Sequence, residues 1–180
     1  MHRFIVTKEV EIDYGHRIQL HGSQCSQLHG HRGKILARVS GPLQTEGSST
    51  GMVLDFSDIK MMLMELHKLW DHGMILEKTD PLLLALSAIL TNTKDSAHLG
   101  LAKLMVFDNA PTAENLASFA FAYLDRRIRG IFIHTNLEDN IILEEVTFYE
   151  TPTSSATVRR GDIIEDEICQ SRQSVSLQQI

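Results

Sequence analysis

A thiol and two imidazoles lie close together in the chain, at Cys25, His29 and His31. Cysteine sulfur and histidine nitrogen are ligands that zinc prefers in proteins, and both groups also move protons in catalysis. In an extended strand, residues i and i+2 point to the same side, so His29 and His31 can offer two nitrogens to one ion. A surface turn with two solvated histidines explains the same doublet. The doublet alone leaves both interpretations open.

The strand that precedes this segment supplies a third imidazole. Residues 3–16 alternate apolar and polar side chains, which predicts a long strand whose covered face ends in His16. A histidine at the end of an apolar face is, taken alone, typical of a hydrogen-bonded core residue. His16 becomes a candidate ligand only if the fold brings it to the other two histidines.

A second strand, predicted for residues 31–40, extends its covered side back through the His29–His31 doublet. Residues 17–28 are polar and contain glycine, which predicts a loop. Two strands joined by this loop are expected to pair antiparallel, and that pairing places His16 opposite the doublet. Three neutral imidazoles at one covered spot are typical of a catalytic zinc site with an open fourth position.

Three further positions have residue types suited to a substrate site. Asp71 directly precedes His72, and a carboxylate beside an imidazole can orient it for proton transfer, although such pairs also occur as surface turns. Glu150 ends a strand predicted for residues 141–150 on its covered side, where a carboxylate needs a partner such as an arginine or a ligand amine. Thr112 is the predicted N-cap of a helix, and a helix N-terminus can also hold a polar ligand edge.

The remaining patterns predict the elements that position these residues. Asp55 or Ser57 is expected to cap a helix. Its expected buried stripe contains Phe56, Ile59, Leu63, Leu66 and Trp70. Further predicted elements are a helix opened by Asp80–Pro81 and running to Leu90, a loop over residues 91–98, a short strand over residues 101–107, a helix from residues 111–115 to a stop at Gly130, and a final strand over residues 153–158.

Size and composition set limits on the class of protein. The 180 residues are expected to form one domain over residues 1–160, followed by a flexible polar tail over residues 161–180. The net charge of −6 argues against a general nucleic-acid surface but allows a locally positive site for a small anion. No apolar run suits a leader or a membrane span, and two distant cysteines form no disulfide framework. We therefore expect a cytoplasmic protein without membrane partners.

In this order along the chain, the chemical residues resemble the 6-pyruvoyl-tetrahydropterin synthase / 6-carboxytetrahydropterin synthase (QueD) family. The resemblance covers roughly residues 4–160 and rests on His16, Cys25, His29, His31, Asp71, His72, the segment Pro-Thr-Ala-Glu-Asn at residues 111–115, and Glu150. It implies an α+β tunnelling fold (T-fold), with an antiparallel sheet and two main helices on one face. It also implies a homo-oligomer, in which three units form a barrel, two barrels stack into a hexamer, and active sites lie at subunit interfaces.

The resemblance also implies a role for each residue. His16, His29 and His31 are the expected Zn²⁺ ligands, Cys25 the catalytic thiol, Asp71 with His72 the second proton-transfer pair, and Glu150 and Thr112 the contacts to a pterin ring. The chain departs from the family at Tyr14 and Gly15, where small residues are usual, and its tail after Gly161 has no counterpart.

The expected substrate is 7,8-dihydroneopterin triphosphate. Three residues separate Cys25 from His29, a spacing typical of the QueD type, which yields 6-carboxytetrahydropterin, acetaldehyde and triphosphate on the route to queuosine. Two alternatives stay open. One is the same fold making 6-pyruvoyltetrahydropterin, and the other is a zinc-containing pterin-binding protein without catalysis.

Overall fold

The computed structural model describes residues 2–92, 103–132 and 140–162. Within these ranges the helices and strands are β1 (Phe4–His16), β2 (His29–Gly41), α1 (Phe56–Trp70), β3 (Gly73–Glu77), α2 (Pro81–Asn92), β4 (Leu104–Phe107), α3 (Ala113–Phe132), β5 (Ile142–Thr151) and β6 (Ser154–Arg159). The strands form one sheet in the order β4-β3-β1-β2-β5-β6. The predicted loop beyond residue 92 and the predicted tail beyond residue 162 lie outside the described residues.

The long hairpin of β1 and β2 is the centre of the sheet. The two strands pair antiparallel without a register shift, so that His16 lies opposite His29 and Tyr14 opposite His31. Alternate residues near the loop end are buried, as the period of a half-buried strand requires. The predicted strand and its parity are confirmed, and β2 begins two residues earlier than predicted, at His29.

Two further strands lie on one side of the hairpin, and β4 falls within the short strand predicted for residues 101–107. β3, which the sequence analysis missed, pairs parallel with β1, and β4 pairs parallel with β3. The sheet is therefore mixed rather than purely antiparallel. The run Gly73–Glu77 is short and shows no period-2 alternation, because both Ile75 and Leu76 are buried.

The two long helices, α1 and α3, cover the same face of the sheet and form one core with it. Asp55 caps α1 by accepting a hydrogen bond from the Ser57 N–H at 2.7 Å. Most of the predicted stripe of α1 is buried, but Phe56 is exposed, since it occupies the first helical position beyond the edge of the core. None of the described helices combines the length and apolar composition needed to cross a membrane.

Of the predictions for the ends of the other two helices, one is confirmed and one is wrong. Asp80 caps α2 through the Leu82 N–H at 2.8 Å, as predicted for the Asp80–Pro81 pair. The predicted stop at Gly130 is wrong, because α3 continues through it to Phe132. Phe132 is a buried member of the core, and burial of its ring outweighs the helix cost of one exposed glycine, about 1 kcal/mol.

Candidate metal site

Three imidazoles meet at the loop end of the β1–β2 hairpin. Ring centroids lie 4.6 Å apart for His16 and His29, 4.9 Å apart for His29 and His31, and 5.2 Å apart for His16 and His31. One ring nitrogen from each lies within 4.8 Å of the others, and this group can hold a metal ion. The strand register produces the arrangement, since His16 faces His29 directly and His31 follows on the same side.

Backbone carbonyls orient two of these rings. His16 Nδ1 donates to the Pro111 carbonyl at 2.8 Å, and His29 Nδ1 donates to the Gln27 carbonyl at 2.7 Å. A ring that donates from Nδ1 presents an unprotonated Nε2, which is the form that binds a metal. The Pro111 carbonyl is a functional group that sequence analysis missed, because every residue has a backbone carbonyl and its type carries no signal.

A metal ion fits this donor set. The Nε2 atoms of His16 and His31 are buried and have no hydrogen-bond partner in the described structure. Burial lowers the pKa of both imidazoles, with a further lowering by the neighbouring His29, so the neutral form that binds a metal is favoured. Three nitrogens without a protein thiolate match a catalytic zinc site, which keeps its fourth position for water or substrate.

Glu150 is the carboxylate nearest to the cluster. Its Oε1 lies 3.5 Å from His16 Nε2 and 3.8 Å from His31 Nε2, and its side chain is partly exposed. Glu150 thus lies on the same side of the sheet as the cluster, as predicted, but its side chain is only partly covered and its nearest basic neighbours in the described structure are imidazoles. A carboxylate here faces the open side of the cluster and can accept hydrogen bonds from a bound ligand.

Tyr14 is a further residue of the site whose role the sequence did not suggest. It is 4% exposed, and its hydroxyl has no hydrogen-bond partner in the described structure. Its ring centroid lies 5.2 Å from that of His16 and 5.9 Å from that of His31. Burial, and then the charge of Glu150, raise the pKa of Tyr14, so the hydroxyl stays protonated. A buried hydroxyl without a partner costs about 1–3 kcal/mol.

Cys25 lies in a short 3-10 helix, Gln24–Ser26, within the loop that joins β1 to β2. The Cys25 carbonyl accepts a hydrogen bond from the Ile18 N–H at 2.8 Å, which closes this loop onto the end of β1. Its thiol is free and partly buried. The metal-binding group found in the described residues consists of histidines, so the structure gives Cys25 no ligand position.

Asp71 and His72 lie at the junction of α1 and β3, beside the edge of β1. Asp71 Oδ1 accepts from the Asp13 N–H at 2.9 Å, and Oδ2 accepts from His72 Nδ1 at 2.7 Å. Partial burial opposes ionisation, but these hydrogen bonds and the nearby His67 lower the pKa of Asp71. The carboxylate is therefore ionised and leaves Nε2 of His72 as the nitrogen free to move a proton.

The backbone at His72 is unusual. His72 has a φ of 57°, in the left-handed region, and its N–H donates to the Asp13 carbonyl at 2.6 Å. The imidazole is 76% exposed. Across the described part of the chain, no hydrogen bond or ring contact joins His72 to the histidine cluster. Within one chain, the predicted proton-transfer pair is formed, but the structure does not bring it together with the metal site.

Thr112 caps α3 and directly follows Pro111, whose carbonyl bonds His16. Its carbonyl accepts from the Leu116 N–H at 2.9 Å and its Oγ1 from the Asn115 N–H at 3.4 Å, as predicted for an N-cap. Asn115 Nδ2 donates to the Ala110 carbonyl at 2.8 Å. These bonds fix the turn that aims the Pro111 carbonyl at His16, so the helix start supports the metal site through its backbone.

Comparisons with known proteins cover most of the chain. The family model for 6-pyruvoyl tetrahydropterin synthase matches residues 5–161. A 6-carboxy-5,6,7,8-tetrahydropterin synthase of Haemophilus influenzae is 27% identical over 152 residues, which are 84% of this chain and 95% of that protein. The enzyme of the same name from Rickettsia conorii is 30% identical over 151 residues, or 81% of this chain and 93% of that one.

A solved structure supports the fold itself. The 6-pyruvoyl tetrahydropterin synthase of Plasmodium vivax superposes with a TM-score of 0.65 at 20% identity, covering 89% of this chain and 99% of that one. The α+β tunnelling fold expected from the sequence is thereby confirmed, and in this chain its sheet includes the parallel strands β3 and β4.

Proposed function

Because the chain belongs to the 6-pyruvoyl tetrahydropterin synthase family, we propose that it is a zinc-dependent 6-carboxy-5,6,7,8-tetrahydropterin synthase. Its substrate would be 7,8-dihydroneopterin triphosphate, and its products 6-carboxytetrahydropterin, acetaldehyde and triphosphate, in the cytoplasmic route to queuosine. The observation that supports this most strongly is the histidine cluster, whose buried nitrogens of His16 and His31 have no protein partner among the described residues. Relatives with the proposed name match most of the chain.

We assign the metal to His16, His29 and His31. Zinc bound there would draw electron density from oxygens on the substrate side chain and so make the adjacent C–H groups more acidic. The carbonyls of Pro111 and Gln27 hold two of the rings in the tautomer that binds metal. Imidazole ligands carry no negative charge when they bind a metal, so the positive charge of the ion would remain to favour an anionic substrate oxygen.

Cys25 and His72 are proposed as the two groups that move protons. Cys25, as thiolate, would remove a proton from the substrate side chain, and its place outside the ligand set leaves the sulfur free to do so. His72 would deliver or accept the second proton at Nε2, because its Nδ1 is bonded to Asp71. The ionised Asp71 stabilises the imidazolium that forms when Nε2 takes up a proton.

Glu150 is proposed to hold the pterin ring by accepting hydrogen bonds from its N–H edge. Its position beside the cluster would place the ring so that the substrate side chain reaches the metal. Thr112, at the start of α3, is proposed as a second contact to the ring. We further propose that residues 1–160 form the catalytic domain, that residues 161–180 are a tail outside it, and that the protein acts as a trimer or hexamer.

Two other functions are consistent with some of the same observations. The same site making 6-pyruvoyltetrahydropterin is supported by the fold neighbours of that name. A zinc-containing pterin-binding protein without catalysis is consistent with the separation of His72 from the cluster within one chain. The cysteine spacing and the names of the matching relatives favour the 6-carboxy product.

One experiment separates the three functions. Protein loaded with zinc is incubated with 7,8-dihydroneopterin triphosphate, and the products are identified by mass spectrometry. Acetaldehyde with 6-carboxytetrahydropterin is the expected result, whereas 6-pyruvoyltetrahydropterin without acetaldehyde supports the first alternative. Absence of turnover by protein with one zinc per chain supports the second. Chelation should abolish turnover and zinc should restore it, while a His29→Ala variant should bind no zinc by elemental analysis.

A further inference from the structure

Tyr14 combines deep burial with a hydroxyl that no described group satisfies, directly beside the proposed substrate site. Its neighbours on the covered face are two histidines of the cluster and Phe148. The Nε2 nitrogens of both histidines point to the metal position and make no bond to Tyr14. A structural tyrosine at this depth normally finds a partner for its hydroxyl.

The direction of the Tyr14 ring follows from its contacts. The ring lies across β2 at Gly33, where an added Cβ would come 3.0 Å from Tyr14 Cε1. It then meets Phe148 of β5 edge-on, with ring centroids 5.6 Å apart. The side chain therefore starts on β1 and reaches towards β5, the strand that also bears Glu150. Gly33 leaves the space through which the ring extends.

We propose that Tyr14 is a ligand-binding residue whose hydroxyl donates a hydrogen bond to the ring carbonyl of a bound pterin. Glu150 would accept a hydrogen bond from the ring N–H next to that carbonyl. This inference rests on the proposed function, because it takes the ligand to be a pterin. A pterin presents an N–H donor beside a C=O acceptor on one edge. A carboxylate beside a hydroxyl donor is the complementary pair.

The test compares Tyr14→Phe with a matched control, Tyr149→Phe. Tyr149 is on the opposite face of the same sheet, where its ring lies under Lys34 Nζ at 5.0 Å. Both changes remove one hydroxyl and keep the ring. The dissociation constant of 7,8-dihydroneopterin is measured by fluorescence titration on zinc-loaded wild type and on both variants. Zinc content and urea unfolding of the ligand-free proteins are measured in parallel.

We expect Tyr14→Phe to weaken binding roughly 2- to 10-fold, as loss of one neutral hydrogen bond does, and Tyr149→Phe to leave it unchanged. Zinc content should be equal in all three proteins. Ligand-free Tyr14→Phe should be no less stable than wild type, because the lost hydroxyl had no partner in the protein.

Three results would overturn the inference, and a fourth would contradict the proposed function. The first is wild-type affinity in Tyr14→Phe. The second is a loss of stability in the ligand-free variant, which would show that the hydroxyl is bonded inside the protein. Failure of the wild type itself to bind 7,8-dihydroneopterin would instead contradict the proposed function, and with it the pterin contact. A loss of affinity equal in both variants would also count against a role specific to Tyr14.

Discussion

Each imidazole of the cluster is suited to a metal by what surrounds its nitrogens. For His16 and His29, a backbone carbonyl bonds Nδ1 and so directs Nε2 towards the cluster. For His16 and His31, burial lowers the pKa, and Glu150 acts in the opposite direction. Metal binding to neutral imidazoles displaces no protons, so the affinity should change little near neutral pH and weaken where the histidines become protonated.

The thiol is the first residue to test. Cys25→Ala removes the proposed base but no metal ligand, so zinc content and fold should be unchanged. Turnover should fall at least 100-fold, the usual range for loss of an acid–base group. The measurement is the rate of acetaldehyde release, with zinc quantified in the same sample. Ser26→Ala, in the same 3-10 helix, is the control and should retain activity. A folded, zinc-containing Cys25→Ala variant with wild-type turnover would exclude the assigned role.

Glu150 Oε1 lies 3.5 Å from His16 Nε2. At this distance the carboxylate could serve either as a contact to the pterin or as a fourth metal ligand. We expect Glu150→Gln to keep one zinc per chain and to weaken binding of 7,8-dihydroneopterin roughly 10- to 100-fold, through loss of charged hydrogen bonds. Elemental analysis and fluorescence titration measure the two effects separately. Zinc loss at unchanged pterin affinity would instead make Glu150 a metal ligand. Glu144→Gln, on the same strand and bonded to Ser40, is the control.

At the scale of single residues, sequence analysis identified the three candidate metal ligands but missed two groups that surround them. Residue type and strand parity suffice to predict that His16, His29 and His31 converge. The two missed groups are the Pro111 carbonyl, which orients His16, and the unpartnered Tyr14 hydroxyl beside the cluster, and neither has a spacing pattern. Every residue has a backbone carbonyl, so the residue type does not reveal which carbonyl orients a ligand. Whether a buried hydroxyl is hydrogen-bonded depends on partners that come from strands distant in sequence.

Among the helices and strands, sequence patterns predicted those that are strongly amphipathic or that have local signals such as helix caps. The β1–β2 hairpin and helices α1 and α3 have clear periods and caps, and they were predicted nearly in full. β3 was missed because its pairing partner is β1, far away in sequence, and its apolar run has no alternation. The extension of α3 past Gly130 depends on burial of Phe132, which local helix propensity does not include.

The junction of β1 and α2 is held by an ion pair. The Arg17 guanidinium bonds both carboxylate oxygens of the buried Asp80, which also caps α2. Arg17 directly follows His16, so the pair anchors the strand end that bears a metal ligand. Loss of one partner of a buried ion pair costs about 3–5 kcal/mol, and the partial exposure of Arg17 reduces this to about 2 kcal/mol.

We therefore expect Asp80→Asn to lower the free energy of unfolding by about 2 kcal/mol at pH 7. The bonds from Arg17 hold the pKa of Asp80 below its ordinary value. The contribution is thus complete above the unfolded-state pKa of about 3.9 and is lost as the pH falls through the lower folded-state value. Urea unfolding at pH 7, 5 and 3 should show an equal difference at the first two and a smaller one at the third. Asp108→Asn breaks an exposed pair with Lys78 and should have almost no effect.

At the scale of the whole molecule, the residues proposed for catalysis lie in two separate places. The zinc ligands lie at one end of the β1–β2 hairpin, whereas His72 projects an exposed imidazole at the edge of β1. Within the described residues, no hydrogen bond or ring contact links His72 to the cluster, yet the proposed reaction needs a proton donor at the substrate. A second subunit that presents its own His72 to the cluster would complete the site, consistent with the oligomer expected for this fold.

Mixing two inactive variants tests this arrangement. Cys25→Ala and His72→Ala should each be inactive as a homo-oligomer, although each contains a normal zinc cluster. If every site takes Cys25 from one subunit and His72 from a neighbour, random co-assembly restores both groups in about a quarter of the sites. Co-expressed variants, purified as mixed oligomers through two different tags, should then recover about a quarter of the wild-type acetaldehyde release. The double variant mixed with Cys25→Ala has no intact thiol and should remain inactive. Mixed oligomers without recovered activity would indicate that each site takes Cys25 and His72 from the same subunit. In that case every subunit of the mixture lacks one of the two residues, and no site is complete.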